Sequence, residues 1–189
     1  MSPVTRLFHG AHRLSTAPRY VPRYTLDDYN RWEGDWELID GVAVSTSPSP
    51  FGPHERVVSR LSFEILSQLK LRHCSCEVYT NLDWIVDNHT VIRPDLMVVC
   101  GEQPERHLER SPVVMVEVLS ESTRERDLTV KRTLCLENDV PHYLILDPSD
   151  RSILHVTGND EVAVDAARPL ALRLDDQCEI ELDCQKLFQ

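Results

Sequence analysis

Glycine is scarce, with six residues in a chain of 189. No dinucleotide fingerprint or glycine-rich phosphate loop can be placed on so few, which removes those nucleotide-binding classes. G-x-S-x-G and H-E-x-x-H are also absent, so neither the serine-hydrolase elbow nor the zinc-peptidase helix is present. No apolar run approaches the roughly 20 residues of a membrane span, and no membrane partner is expected. Lysine is rare, with Lys70, Lys131 and Lys186 against seventeen arginines. Residues 1–26 hold four arginines and no acid. The first apolar stretch is broken by His9, His12 and Arg13, so no export signal is read. The six cysteines are therefore expected as thiols in a reducing cytoplasm, not as disulfides. Cys74 and Cys76 form the only close pair, and C-x-C lacks the paired spacing of a zinc site. Cys100 and Cys135 stand in apolar segments and are read as buried hydrophobes.

What is present is an ordinary globular mixture, 41% hydrophobic and 27% charged, long enough for one domain with a sizeable core. The net charge of −11 repels nucleic acid in bulk. A DNA-binding role then needs a local basic face or a bound metal ion. Residues 1–21 follow no hydrophobic period and are expected as a flexible basic N-terminal tail. Residues 22–189 are expected as a single domain.

The periodicity alternates between helix and strand. Thr25 to Asp28 forms a capping box opening a short helix. Asp40-Gly41 between two apolar runs signals a hairpin, Trp36 to Ile39 and Val42 to Val44. Val57, Val58, Leu61, Ile65 and Leu69 make a helical stripe over residues 54–71. Strand-like runs follow at 76–80, 82–86, 91–92, 96–100 and 113–119. Residues 124–138 read as a helix with Leu128, Leu134, Cys135 and Val130 inward. Further strands are expected at 142–146, 153–157, 161–164 and 170–174, with a short helical piece at 184–188. This order predicts a mixed α/β (α+β) domain on one sheet with helices packed on its faces.

Two carboxylates interrupt or abut apolar strands. Glu117 lies inside Val113–Leu119, where a lone buried carboxylate costs several kcal/mol, roughly, unless paired or bound to a cation. Asp95 follows Pro94 at the head of Leu96 to Cys100. Acids at adjoining points of neighbouring strands repel, and a divalent cation relieves that repulsion. An arginine partner for Glu117 and a turn cap at Asp95 are the structural alternative. Lys131, four residues after Asp127, is either a surface ion pair or an ammonium aimed at a phosphate or a water. Glu37 and His54 are weaker candidates, an acid in a strand and a polar residue at a helix start.

The segments Trp36-Glu37-Leu38-Ile39-Asp40-Gly41, Arg93-Pro94-Asp95, Glu117-Val118-Leu119-Ser120 with Ser122-Thr123, Asp127 with Lys131, and Val140-Pro141-His142-Tyr143 running into Leu146-Asp147-Pro148 together resemble the Uma-two family. That family belongs to the restriction-endonuclease-like PD-(D/E)XK superfamily. The resemblance spans about residues 24–160. It implies a restriction-endonuclease-like central mixed sheet flanked by helices. It implies a site where Asp95 and Glu117 bind Mg²⁺ or Mn²⁺ with Glu37 nearby. In the superfamily pattern a lysine lies two residues after the second acid, where this chain has Leu119. Lys131 matches a variant in which that lysine has moved to the following helix.

The expected function is a metal-dependent endonuclease hydrolysing DNA phosphodiester bonds, with Glu37, Asp95, Glu117 and Lys131 as its catalytic set. His54, Arg93 and Arg124 are candidate substrate contacts, joined by Arg126 and Arg132 as further phosphate contacts. DNA is the expected partner, and two cuts on a duplex would favour a homodimer. The alternative is a catalytically silent nucleic-acid- or protein-binding module on the same fold. Metal-dependent hydrolysis of another phosphate ester is a third reading.

Overall fold

The computed structural model describes residues 22–46 and 51–189. The expected tail over 1–21 lies outside these residues. The chain order begins with α1 (Leu26–Tyr29), β1 (Trp36–Ile39), β2 (Val42–Ser45) and α2 (Gly52–Arg72). Next come β3 (Cys76–Thr80), β4 (Trp84–Asp87), β5 (Thr90–Ile92), β6 (Leu96–Cys100) and β7 (Val114–Val118). A helical segment follows in three pieces: α3 (Arg124–Arg126), a π-helical turn (Asp127–Lys131) and α4 (Arg132–Glu137). The chain ends with β8 (His142–Asp147), β9 (Ser152–Thr157), β10 (Asp160–Ala163), β11 (Leu170–Arg173), β12 (Glu179–Leu182) and a 3₁₀ turn (Cys184–Phe188).

Mixed α+β architecture is as expected, but the strands form three sheets among the described residues. The central sheet has the order β10-β9-β8-β7-β6-β3. Only its β7–β8 pair is parallel, bridged by the helical segment as a parallel pair requires. A four-stranded sheet, β2-β1-β5-β4, stands beside it, and β11-β12 is a separate ribbon. The one-sheet expectation fails because the polar turn at Asp87-Asn88-His89 folds β4 and β5 into their own hairpin, which joins β1 through Leu38 and Val91.

Local chemistry explains the boundaries. Thr25 and Asp28 form a reciprocal capping box: the Thr25 amide donates to Asp28 Oδ2 at 3.0 Å, and the Asp28 amide donates to Thr25 Oγ1 at 3.4 Å. Asp40 and Gly41 both take positive φ, 48° and 77°, as a two-residue hairpin of this hand demands. A Cβ on Gly41 would also stand 3.3 Å from the Tyr24 carbonyl oxygen. Helix α2 has Pro53 in its first turn and ends at His73 in the left-handed conformation. All five residues of its apolar stripe are buried.

Period-two alternation gives the central sheet two different faces. Leu96, Val98, Val114, Val116, Val118, Leu144 and Leu146 face α2 and the β11-β12 ribbon in one apolar cluster. Met97, Val99, Met115, Tyr143 and Ile145 face the other way, against Cys135 of α4 and Trp84. Val130 departs from expectation: it is exposed, because the π turn shifts the helical phase between Leu128 and Leu134. Strand β12 was not anticipated, although Glu179-Ile180-Glu181-Leu182 alternates in polarity and in burial.

The cysteine expectation is also corrected. Cys76 and Cys100 are register partners across β3 and β6 and form a disulfide, and Cys74 is bonded to Cys178. Cys74 lies just before β3, where Cys178, just before β12, reaches it. Sequence separations of 24 and 104 hid both pairings. Cys100 is thus half-buried and bonded, whereas Cys135 is a buried free thiol as expected.

Candidate active site

The site lies where β6 and β7 begin to diverge. Leu96 pairs with Val116, so Asp95, one residue earlier, stands against Glu117, one residue later. Asp95 Oδ2 accepts the Val118 amide at 2.7 Å and lies 3.2 Å from His54 Nε2 on the first turn of α2. Both contacts fall on one oxygen, so the other is left to the cleft. Burial opposes charge on His54, but Asp95 and Glu55 outweigh it and raise the ring's pKa.

Glu37 arrives from β1. Its Oε1 accepts the Arg93 amide at 2.9 Å, and its Oε2 is 3.2 Å from Arg126 Nε. Lys131 closes the group from the π turn. Its ammonium is 2.7 Å from Glu117 Oε1, 2.9 Å from Glu37 Oε1 and 3.6 Å from Asp127 Oδ1. Lys131 and Asp127 are both buried, so the surface-pair reading of this i,i+4 couple is excluded. The π turn is held in place by Tyr143 on β8, whose hydroxyl donates to the Asp127 carbonyl at 2.9 Å.

Charge at the site does not balance. Glu37, Asp95, Glu117 and Asp127 face Lys131 and Arg126. Glu117 is held well above the ordinary carboxylate range by burial and by the neighbouring charges of Asp127, Asp95 and Glu37, against the pull of Lys131. Burial likewise raises Asp127, against the pull of Lys131 and of the Thr123 side chain. Lys131 stays protonated: burial works to lower its pKa, but Glu117, Glu37 and Asp127 overcome it.

Glu37, Asp95, Glu117 and Lys131 line a cleft of about 510 Å³, with His54, Arg93 and Arg126 on its walls. Glu37, Asp95, Glu117, Lys131, His54 and Arg93 are thus all brought together. Arg124 is not among the lining residues; it pairs with Asp147 at the end of β8 at 2.5 Å. Arg132, the other arginine read as a phosphate contact, pairs instead with Glu161. Arg93 is anchored at 2.7 Å by Asp83 and at 2.9 Å by Asp35. Tyr29 donates to Asp83 at 2.9 Å and completes that bracket. Sequence reasoning missed Asp35 and Tyr29, in a polar turn and a short helix, and Asp83, although a buried acid inside the apolar run 82–86 is the same signal as Glu117. Ser120 and Thr123, also on the wall, belong to the segment that carries the resemblance.

This mixed sheet with flanking helices is the architecture to which the comparisons also point. The family model Uma2, described as "Putative restriction endonuclease", matches residues 26–182, and the chain belongs to that family. Among solved structures it is similar to a chain from Anabaena variabilis ATCC 29413 described as a "putative nuclease belonging to DUF820". The two share 17% identity with a TM-score of 0.72, over 87% of this chain and 97% of that one, so the likeness is one of fold. No curated protein matches.

Proposed function

We propose that this protein is a metal-dependent endonuclease that hydrolyses phosphodiester bonds in DNA, with Asp95, Glu117 and Lys131 at its centre. The observation carrying this reading is the opposition of Asp95 and Glu117 across β6 and β7, with the Lys131 ammonium buried against Glu117. The donor set fits a hard divalent cation. It is all oxygen, it has excess negative charge, and Asp95 and Glu117 each have one oxygen outside the hydrogen bonds described above. Asp95 and Glu117 would hold Mg²⁺ or Mn²⁺, with Glu37 behind them. When bound, the cation supplies Lewis-acid polarisation of a phosphoryl oxygen and a more acidic water.

The remaining roles belong to the chain itself. Lys131 is fixed by three carboxylates and presents a compact positive charge beside the reacting group, where it stabilises negative charge developing on phosphate oxygens. Val118 and His54 keep Asp95 from rotating away, because both hold the same oxygen. Arg93 and Arg126 place guanidinium groups on the wall of an otherwise acidic cleft, where they can meet a phosphate backbone. A homodimer would set two such clefts against a duplex.

The test is cleavage of supercoiled plasmid and of single-stranded DNA with Mn²⁺, Mg²⁺ or EDTA, for wild type and Asp95→Ala. Cutting is expected only with a divalent cation and only in wild type. Equal cutting by Asp95→Ala would overturn the assignment. If neither protein cuts, the reading as an endonuclease fails. Mn²⁺ raising the melting temperature of wild type alone would then leave an intact metal site for another phosphate ester.

A further inference from the structure

A second ligand cluster lies at the β3 edge of the central sheet, beside the apolar cluster that α2 packs into. Cys76, Cys100 and Asp175 bring two sulfurs and a carboxylate oxygen within 4.8 Å of one another. They come from three distant parts of the chain: β3, β6 and the turn between β11 and β12. The turn is itself built to hold its acid. Asp175 Oδ1 accepts the amides of Gln177 and Cys178, each at 2.7 Å, leaving its second oxygen free. Cys178, three residues on, is bonded to Cys74. Cys76 is buried, Cys100 half-buried and Asp175 exposed, so the cluster has a dry interior and an open entrance.

We propose that Cys76, Cys100 and Asp175 form a zinc site when the Cys76–Cys100 bridge is reduced. A thiol reductant supplies two electrons and two protons, the S–S bond breaks, and the reductant leaves as its own disulfide. Each thiol then gives its proton to solvent as it becomes a metal ligand. Geometry favours the exchange. Two unbonded sulfurs cannot stay at bonding distance, and contact between them falls near the S···S edge of about 3.8 Å set by Zn–S bonds of about 2.3 Å in a tetrahedron. The register pairing of Cys76 with Cys100 keeps the two at that contact. Two thiolates with one carboxylate are a soft-to-borderline donor set suited to Zn²⁺, unlike the all-oxygen set at Asp95. The backbone amides on Asp175 orient the ligating carboxylate, as outer-shell donors do around bound metals. When oxidised, the Cys76–Cys100 bond joins β3 to β6 within the sheet; when reduced, a metal shared with Asp175 would link that edge to the ribbon.

Co²⁺ is the probe, added to reduced, metal-free protein under anaerobic conditions. The expected result is a thiolate-to-cobalt charge-transfer band that saturates at one equivalent and vanishes on oxidation with a disulfide. Zn²⁺ should displace it. Cys100→Ser should abolish the band, and Asp175→Asn should weaken Co²⁺ binding at least tenfold while circular dichroism stays native. No band in reduced wild type, or an undiminished band in Cys100→Ser, overturns the proposal. Should Cys100→Ser fail to fold, undiminished affinity in folded Asp175→Asn overturns it instead. Asp95→Ala must keep the band, because oxygen ligands give no thiolate charge transfer. The outcome is therefore independent of the nuclease reading.

Discussion

The two faces of β7 are built on opposite terms. Val114, Val116 and Val118 point into a cluster of aliphatic side chains that includes Leu61 and Ile65 of α2, and need nothing but close packing. On the other face, Met115 begins a similar apolar layer, but Glu117 ends it among Glu37, Asp127 and Lys131. One residue of offset separates a surface that stabilises the fold from one that strains it. The apolar face supplies the rigidity with which the charged face is held, and the charged face carries the chemistry.

The sharpest break in this comparison is the pair Glu117→Ala and Val116→Ala. Glu117→Ala should lower metal-dependent cleavage by on the order of 10³-fold, since a metal ligand and the closest partner of Lys131 are lost together. Its melting temperature should hold or rise, because a carboxylate already disfavoured by burial is removed while Lys131 keeps Glu37 and Asp127. Val116→Ala should do the reverse, costing about 2 kcal/mol in denaturant unfolding with cleavage per folded molecule unchanged. A large stability loss in Glu117→Ala would show that the two faces are not divided in this way.

Lys131→Met probes the charged face from the other sign. Removing the one ammonium leaves Glu37, Glu117 and Asp127 facing each other, which should cost about 3–5 kcal/mol at pH 7. The deficit has a pH signature. Glu117 and Asp127 already have raised pKa values, and without the lysine they rise further. A group with a raised folded pKa binds its proton more readily in the folded state, so the variant recovers stability relative to wild type as pH falls. Denaturant melts at pH 7.5 and 5.5 should show the gap narrowing. A gap that stays constant would mean the loss is one of packing.

Much of this division can be read from residue order alone. The stripe of α2, the Asp40-Gly41 turn and the apolar runs of β6 and β7 follow from local periodicity. Asp95 and Glu117 stand out because charge is costly in such runs. Lys131 is visible only through its rarity and the resemblance, since an i,i+4 pair with Asp127 looks the same on a surface as in a core. What stays hidden depends on contacts remote in sequence. The π turn meets the hydroxyl of Tyr143, sixteen residues on, and the Arg93 bracket needs Asp35 and Asp83 from other segments. The Cys76–Cys100 bond depends on strand register, and the Cys74–Cys178 bond on a turn 104 residues away. Val130 faces outward because of a phase shift that no periodic pattern records.

A smaller effect is expected on the apolar face, where β8 and β9 hold a histidine pair. His142 Nδ1 lies 3.0 Å from His155 Nε2, and His142 Nε2 donates to the Arg173 carbonyl at 2.9 Å, fastening β11 to the sheet. Burial holds His155 down at about 4, aided by His142, and burial lowers His142 as well. A histidine with a depressed folded pKa leaves the unfolded chain binding more protons below about 6.5, so stability falls as the pH drops from there toward 4. With the rings partly exposed, the loss between pH 7 and 5 should be about 1–2 kcal/mol. His155→Leu should flatten this part of the profile. An unchanged slope in that variant would remove the pair as its source.

On Glu117's side of the sheet, the Tyr143 ring packs in the apolar layer with Met115 and its hydroxyl serves the site. Tyr143→Phe keeps the ring and removes only the donor to the Asp127 carbonyl. Leaving that buried carbonyl unpaired should cost about 1 kcal/mol, or about 2–4 °C in a domain of this size. If the hydroxyl also sets the π turn, Lys131 moves when it is lost, and cleavage should fall about tenfold or more at temperatures where the variant is fully folded. A purely structural role would lower the melting temperature and leave cleavage per folded molecule intact. The ratio of the two losses therefore measures how far the apolar layer beside Glu117 positions the charged residues, and equal cleavage by Tyr143→Phe and wild type at 20 °C would set that coupling at zero.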